Sequence, residues 1–118
     1  MDEKRIAPRI SWNFVVKYRL RRDEFPGPWE VSVIQNISKC GCCFFGSVQF
    51  ELGAVLDVEI KLPSMKEPMT FVGEVKRCDS NKDRNMNSFR IGVKFLEMDE
   101  TKKDNFFSTV DFFLKKQS

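Results

Sequence analysis

Arg5 and Arg9 stand four positions apart in a charged segment at the start of the chain. On an extended backbone such residues point to the same side, about 13 Å apart at ~3.3 Å per residue. Two guanidinium groups so placed can grip two separated parts of one ligand, either two phosphates or a phosphate and a base. Arginine suits the task because its planar fork pairs with phosphate oxygens, pairs with the O6 and N7 of guanine, or stacks on a ring. Taken alone, the pair is also what a solvated basic tail presents. A second constellation is Asn36-x-Ser38-x-x-Gly41. Asn36 and Ser38 are two apart near a predicted strand end, so they share a face. The amide offers both donor and acceptor to a base edge, and the hydroxyl can donate to a phosphate. Gly41 permits a positive φ and a close approach of backbone to ligand. Taken alone, this segment is an ordinary polar turn.

Both constellations need a scaffold to hold them, and the alternation of apolar residues supplies one. Residues 1–10 are charged and aperiodic and are read as an arm, with Pro8 biasing Ala7 toward extended backbone. Trp12, Phe14, Val16, Tyr18 and Leu20 then alternate with Asn13, Lys17 and Arg19, the pattern of a half-buried strand. The Phe25-Pro26-Gly27-Pro28 segment signals a turn. A second strand runs from Trp29 toward Ile37, and a short third covers Cys42 to Phe45. The fourth alternates over Val55 to Leu62, the fifth covers Met69 to Cys78, and the sixth carries Phe89, Ile91, Val93 and Phe95.

The period then changes. Phe106, Phe107, Val110, Phe113 and Leu114 form one apolar stripe of a helix, with Thr101 and Asp104 marking its start. Six strands and a helix joined by short connections predict a mainly β fold, a six-stranded antiparallel barrel with a C-terminal α-helix. Closure would remove the exposed edges that an open sheet of this size carries. Residues 11–118 are read as this barrel and helix, one domain together with the arm at 1–10.

Composition narrows the function. The chain has 118 residues, 12 of them Phe, and a net charge of +3. That charge is too small for a DNA-binding surface, which is usually strongly basic, but Lys4, Arg5, Arg9, Lys17, Arg19, Arg21 and Arg22 make the N-terminal end electropositive and suit a small anion. No apolar run is long enough for membrane insertion, and no apolar signal core follows the first residues, so a cytoplasmic location is expected. There is no His, no nucleophile motif and no paired acid and base, so the chain is read as not an enzyme. Cys40, Cys42, Cys43 and Cys78 are expected to be free thiols, the first three packing at a strand start. No metal or cofactor is expected, since zinc sites favour CxxC pairs or His partners. Arg77 is read first as an exposed strand end, with a place in the ligand pocket as the alternative.

Together, an RxxxR arm before the first strand and a [D/N]xSxxG turn after the second resemble the PilZ domain family. Arg5 and Arg9 match the first motif, and Asn36, Ser38 and Gly41 match the second. The Arg90-Ile-Gly-Val-Lys-Phe95 strand and the amphipathic helix also look like the family's closing elements. The similarity extends over nearly the whole chain, and the family fold is a six-stranded β-barrel followed by a helix. The resemblance implies a receptor for cyclic di-GMP, with Arg5 and Arg9 clamping phosphate and guanine as the arm folds over. Asn36 and Ser38 would meet the guanine edge and phosphate, and Gly41 would keep the floor open. Lys4 would add a cation suited to a stacked pair of ligands. Such a receptor must act on an effector protein, which the sequence does not identify. Two other readings stay open: a PilZ-like protein–protein interaction module that does not bind nucleotide, and a small barrel for single-stranded nucleic acid.

Overall fold

A computed structural model of the protein describes residues 14–22, 24–62, 65–80 and 88–117. Lys4, Arg5, Arg9 and Trp12 lie outside the described residues. The elements run β1 (Val15–Leu20), β2 (Glu30–Ile37), β3 (Gly41–Gly46), β4 (Val55–Ile60), β5 (Met69–Ser80), β6 (Phe89–Met98) and α1 (Lys103–Gln117). The strands close into a barrel in the order β1-β2-β3-β6-β5-β4. Every neighbouring pair is antiparallel, so each ladder satisfies the next.

The predicted alternation sorts inside from outside. Val16 and Tyr18 of β1, Leu56, Val58 and Ile60 of β4, and Ile91, Val93 and Phe95 of β6 are all buried. Their odd-numbered or even-numbered neighbours carry the charges that face water, as strand geometry requires. In β2 the inward residues are Ser32 and Ile34, while Val31 and Val33 face out.

Helix α1 covers one end of the barrel with the expected stripe. Phe106 is fully buried and meets Phe71 and Phe95 with ring centroids 5.2 and 6.2 Å away. Phe71 and Phe95 are themselves stacked at 4.1 Å. Phe113, two turns further along, packs edge-on against Phe14 at 5.6 Å, so the helix reaches the root of β1. The helix begins at Lys103, between the expected Thr101 and Asp104. A turn leads into it, in which the Asp99 carboxylate accepts from both the backbone N–H and the hydroxyl of Thr101, at 3.0 and 2.6 Å. These bonds to Thr101 hold the Asp99 carboxyl below the usual carboxylate range. Asp104 lies in the first turn as predicted, where a carboxylate suits the helix dipole.

Candidate functional site

On the outer wall of the barrel, strands β2, β3, β6 and β5 lie side by side. One row of cross-strand partners runs Asn36–Cys43–Gly92–Arg77, and the next runs Gly41–Lys94–Glu74. The first row spans three inter-strand gaps, about 14 Å at ~4.8 Å each. A groove of about 430 Å³ opens over the first row and over Gly41 and Lys94 of the second, lined by Asn36, Ser38, Gly41 and Cys43 on one side and Lys76, Arg77, Arg90 and Lys94 on the other. The three described residues of the second sequence constellation are thus brought to one surface.

Two β-bulges make this arrangement possible. Strict alternation would put Asn36 on the same face as Ile34, inside the barrel, and Arg77 on the same face as Val75. Ile34 and Val75 are both fully buried. In β2 the register shifts between Ile34 and Asn36, and in β5 between Val75 and Arg77. Each shift inserts one residue, Gln35 or Lys76, and turns the following side chain outward. Ile37 then returns to the core.

The turn that carries Ser38 is fixed by its own hydrogen bonds. The Ser38 N–H donates to the Gly41 carbonyl at 2.9 Å, and the Cys40 N–H donates to the Ser38 hydroxyl at 3.2 Å. The Phe95 N–H donates to the Cys40 carbonyl at 2.8 Å, which pins the turn to β6. Gly41 departs from the expectation: among the described residues only Gly53 has a positive φ. Glycine is required at position 41 because a Cβ there would be driven into the carbonyl oxygen of Val93. Its constraint is the close approach of two strands.

The cysteines also divide. Cys42 faces the core, as expected, and burial with Cys43 beside it pushes its thiol well above the ordinary range. Cys40 is exposed. Cys43 is buried but belongs to the outer face, where its sulfur accepts the Nε–H of Arg90 at 3.3 Å. That bond is the main cause that raises the Arg90 pKa above its ordinary value.

The electrostatics separate this groove from a second cavity. No carboxylate lines the groove among the described residues, whereas four cations do. Lys76 and Arg77 pair with Glu74 and Asp79 at 3.4 and 3.5 Å, on exposed side chains where such pairs contribute little. The second cavity, about 560 Å³, holds Arg19, Arg21 and Arg22 but also Asp57, Glu59, Glu97 and Asp99. There Arg19 is engaged by Asp57 at 3.1 Å and lies over the Trp29 ring at 4.3 Å. A ligand with two negative charges is better met by the carboxylate-free groove.

Arg90, Lys94 and Lys76 are not singled out by the sequence as site residues; Arg77 is exposed, as expected first, and also lines the groove. The signal was present in part: Arg90 and Lys94 alternate with core residues on β6. The bulge that brings Lys76 and Arg77 together has no such mark.

A family model described as the PilZ domain matches residues 3–110. Among solved structures, the inhibitor of motility MotI/DgrA of Bacillus subtilis superposes with a TM-score of 0.71 at 15% identity, over 98% of this chain and 52% of that one. The chain thus spans about half the length of that protein. The PilZ domain of YcgR from Escherichia coli, solved with c-di-GMP, superposes with a TM-score of 0.66 at 12% identity, over 98% of this chain and 94% of that one. At these identities the two likenesses speak for the fold. No curated protein matches the chain. Among the described residues no helix is long and apolar enough to cross a membrane.

Proposed function

The chain belongs to the PilZ domain family, and we propose that it is a cytoplasmic receptor, not an enzyme, that binds cyclic di-GMP in the groove bounded by Asn36, Ser38 and Gly41. The observation that carries this reading is the meeting of that motif, among the described residues, with four cations and no lining carboxylate, on a wall that two bulges have shaped. The YcgR PilZ domain, solved with c-di-GMP, supports it. In this reading Asn36 meets a guanine edge and Ser38 a phosphate. Arg5 and Arg9 close over the ligand from the arm at 1–10, Lys4 adds charge for a stacked pair, and Gly41 keeps the turn tight against β6. Ordering the arm costs conformational entropy that the ligand contacts offset, and the closed arm alters the surface offered to an effector protein.

One feature suits such an output. Lys39, inside the Ser38–Gly41 turn, pairs with Asp111 of α1 at 3.0 Å and lies over the Phe107 ring at 5.3 Å, so the turn touches the helix directly.

Calorimetric titration of the full chain with cyclic di-GMP, beside Arg9→Ala, tests the receptor reading. Saturable binding that the variant loses supports it, and the stoichiometry distinguishes one ligand from a stacked pair. A well-folded wild type that takes up no cyclic di-GMP overturns it in favour of a protein–protein interaction module.

A further inference from the structure

Gly92 stands in the middle of β6, where glycine weakens a strand because it packs no side chain and gives up more backbone entropy than other residues. The bulge of β5 between Val75 and Arg77 lies directly across from it, yet the geometry at position 92 does not itself demand glycine. Its φ is not positive. A Cβ built there meets only the Cβ of Arg77, at 3.4 Å, an ordinary van der Waals contact. Gly41 and Gly73 differ, since a Cβ at either would collide with Val93. Strand glycines recur beside bulges and where a ligand comes close to backbone; with neither strain nor packing requiring glycine at 92, its place in the groove points to the second.

The outer face shows what would come close. Gly92 is a bare spot in the groove floor, with Cys43 across on β3 and Arg77 across on β5. Arg90 and Lys94 flank it along β6 and line the same groove. The Arg90 guanidinium is tethered through Nε to the Cys43 sulfur, which leaves its two terminal nitrogens to donate. A flat patch of backbone accepts the face of a ring, and an anchored guanidinium fork matches the O6 and N7 edge of guanine.

We propose that Gly92 is the floor of a guanine subsite and that Arg90 reads the edge of the base lying on it. This rests on the reading of the groove as a cyclic di-GMP site and adds two residues that the RxxxR and NxSxxG motifs do not contain.

The test is titration with cyclic di-GMP of full-length wild type, Arg9→Ala, Gly92→Ala, Gly92→Val and Arg90→Lys, with a thermal melt of each. Gly92→Val fills the floor with a residue that favours strands, so it is expected to melt no lower than wild type and to bind at least ~10-fold more weakly. Gly92→Ala falls between the two. Arg90→Lys keeps the charge but loses the fork, and a loss of about 10-fold is expected. Wild-type affinity in Gly92→Val overturns the proposal. If that variant fails to fold, wild-type affinity in both Gly92→Ala and Arg90→Lys overturns it. Binding by wild type that Arg9→Ala loses and Gly92→Val keeps leaves the receptor reading standing and removes only the subsite. Absence of binding in wild type removes both.

Discussion

Arg90 donates its Nε–H to the sulfur of Cys43 at 3.3 Å, across the ladder that joins β6 to β3. Cys43 sits beside the smallest possible neighbour, Gly92, so on β6 it is the Arg90 side chain that lies against the thiol. The bond restrains a long side chain that would otherwise sample many rotamers, and a restrained arginine loses less entropy when it meets a ligand.

Cys43→Ala removes the acceptor and frees the guanidinium. A net hydrogen bond contributes about 1 kcal/mol, so affinity for cyclic di-GMP is expected to fall about fivefold. Cys43→Ser retains an acceptor at the same position and is expected to recover most of the loss. Titration of both variants beside wild type checks this, and equal affinity in Ala and Ser would show that the bond does not position Arg90.

Gly41→Ala is expected to act on stability before it acts on binding. The added Cβ meets the Val93 carbonyl, and backbone atoms of a central ladder cannot swing aside as a side-chain tip can. A loss of about 2 kcal/mol or more is expected, in the range typical of a forced core or backbone clash. Urea denaturation reads it. Gly92→Ala serves as the contrast, with a gain of up to about 1 kcal/mol, because alanine gives up less backbone entropy on folding.

The contrast between these glycines shows what the sequence could convey. Alternation in Val55–Leu62 and Phe89–Phe95 tells which side of each strand is buried, because a period of two is a property of the strand alone. The spacing of Phe106, Val110 and Phe113 does the same for the helix. Register is different, since it belongs to pairs of strands. Nothing in the sequence near Gln35 or Lys76 announces that one extra residue will turn Asn36 and Arg77 outward. Nor does the sequence reveal that Gly41 faces a carbonyl of β6, more than fifty residues away, or that Cys42 and Cys43, adjacent and identical, serve opposite faces of the wall. The NxSxxG spacing was visible; the cations that complete its groove became visible only when β5 and β6 were laid beside it.

Ser38→Ala is expected to loosen the turn and weaken the ligand together. The hydroxyl accepts the Cys40 N–H, and removing it leaves that donor to water, at a cost of about 0.5–1.5 kcal/mol in stability. Binding of cyclic di-GMP is expected to fall by more than the stability loss alone would produce, because in the proposed reading the same hydroxyl donates its hydrogen to a phosphate oxygen. Ser38→Thr keeps the hydroxyl and is expected to preserve the turn. Melting curves and titrations run in parallel on the two variants separate the contributions, and undiminished binding in Ser38→Ala would remove Ser38 from the ligand contacts.

Thiol reactivity should follow burial. Cys40 is exposed, whereas Cys42 is buried and its thiol is held well above the ordinary range. Since the thiolate is the attacking species, Cys40 is expected to react first with an aromatic disulfide reagent at neutral pH, and Cys42 only as the protein unfolds. Peptide mapping after timed labelling gives the order; early labelling of Cys42 would contradict the core position.

Two buried acids, Tyr18 and Cys42, make the barrel sensitive to alkali. Burial raises the pKa of Tyr18, with the negative charge of Glu30 adding to the effect, and burial raises that of Cys42. Both groups are neutral when protonated, so the folded state holds its protons to higher pH than the unfolded chain does. Below the unfolded values, about 8.5 for a thiol and about 10 for a tyrosine, their contribution to stability is fully present. As pH rises past those values the unfolded chain ionises while the folded one does not, and stability falls until the folded values are reached. Urea midpoints are therefore expected to decline from about pH 8.5 and more steeply from about pH 10. Cys42→Ala starts lower, because it leaves a small void, but should show no decline between those two values. Tyr18 is the one tyrosine of the chain, so tyrosinate absorbance reports it alone. That signal is expected to rise together with unfolding, above the usual titration of an exposed phenol. A smooth titration near pH 10 with the fold intact would mean that the Tyr18 hydroxyl reaches water.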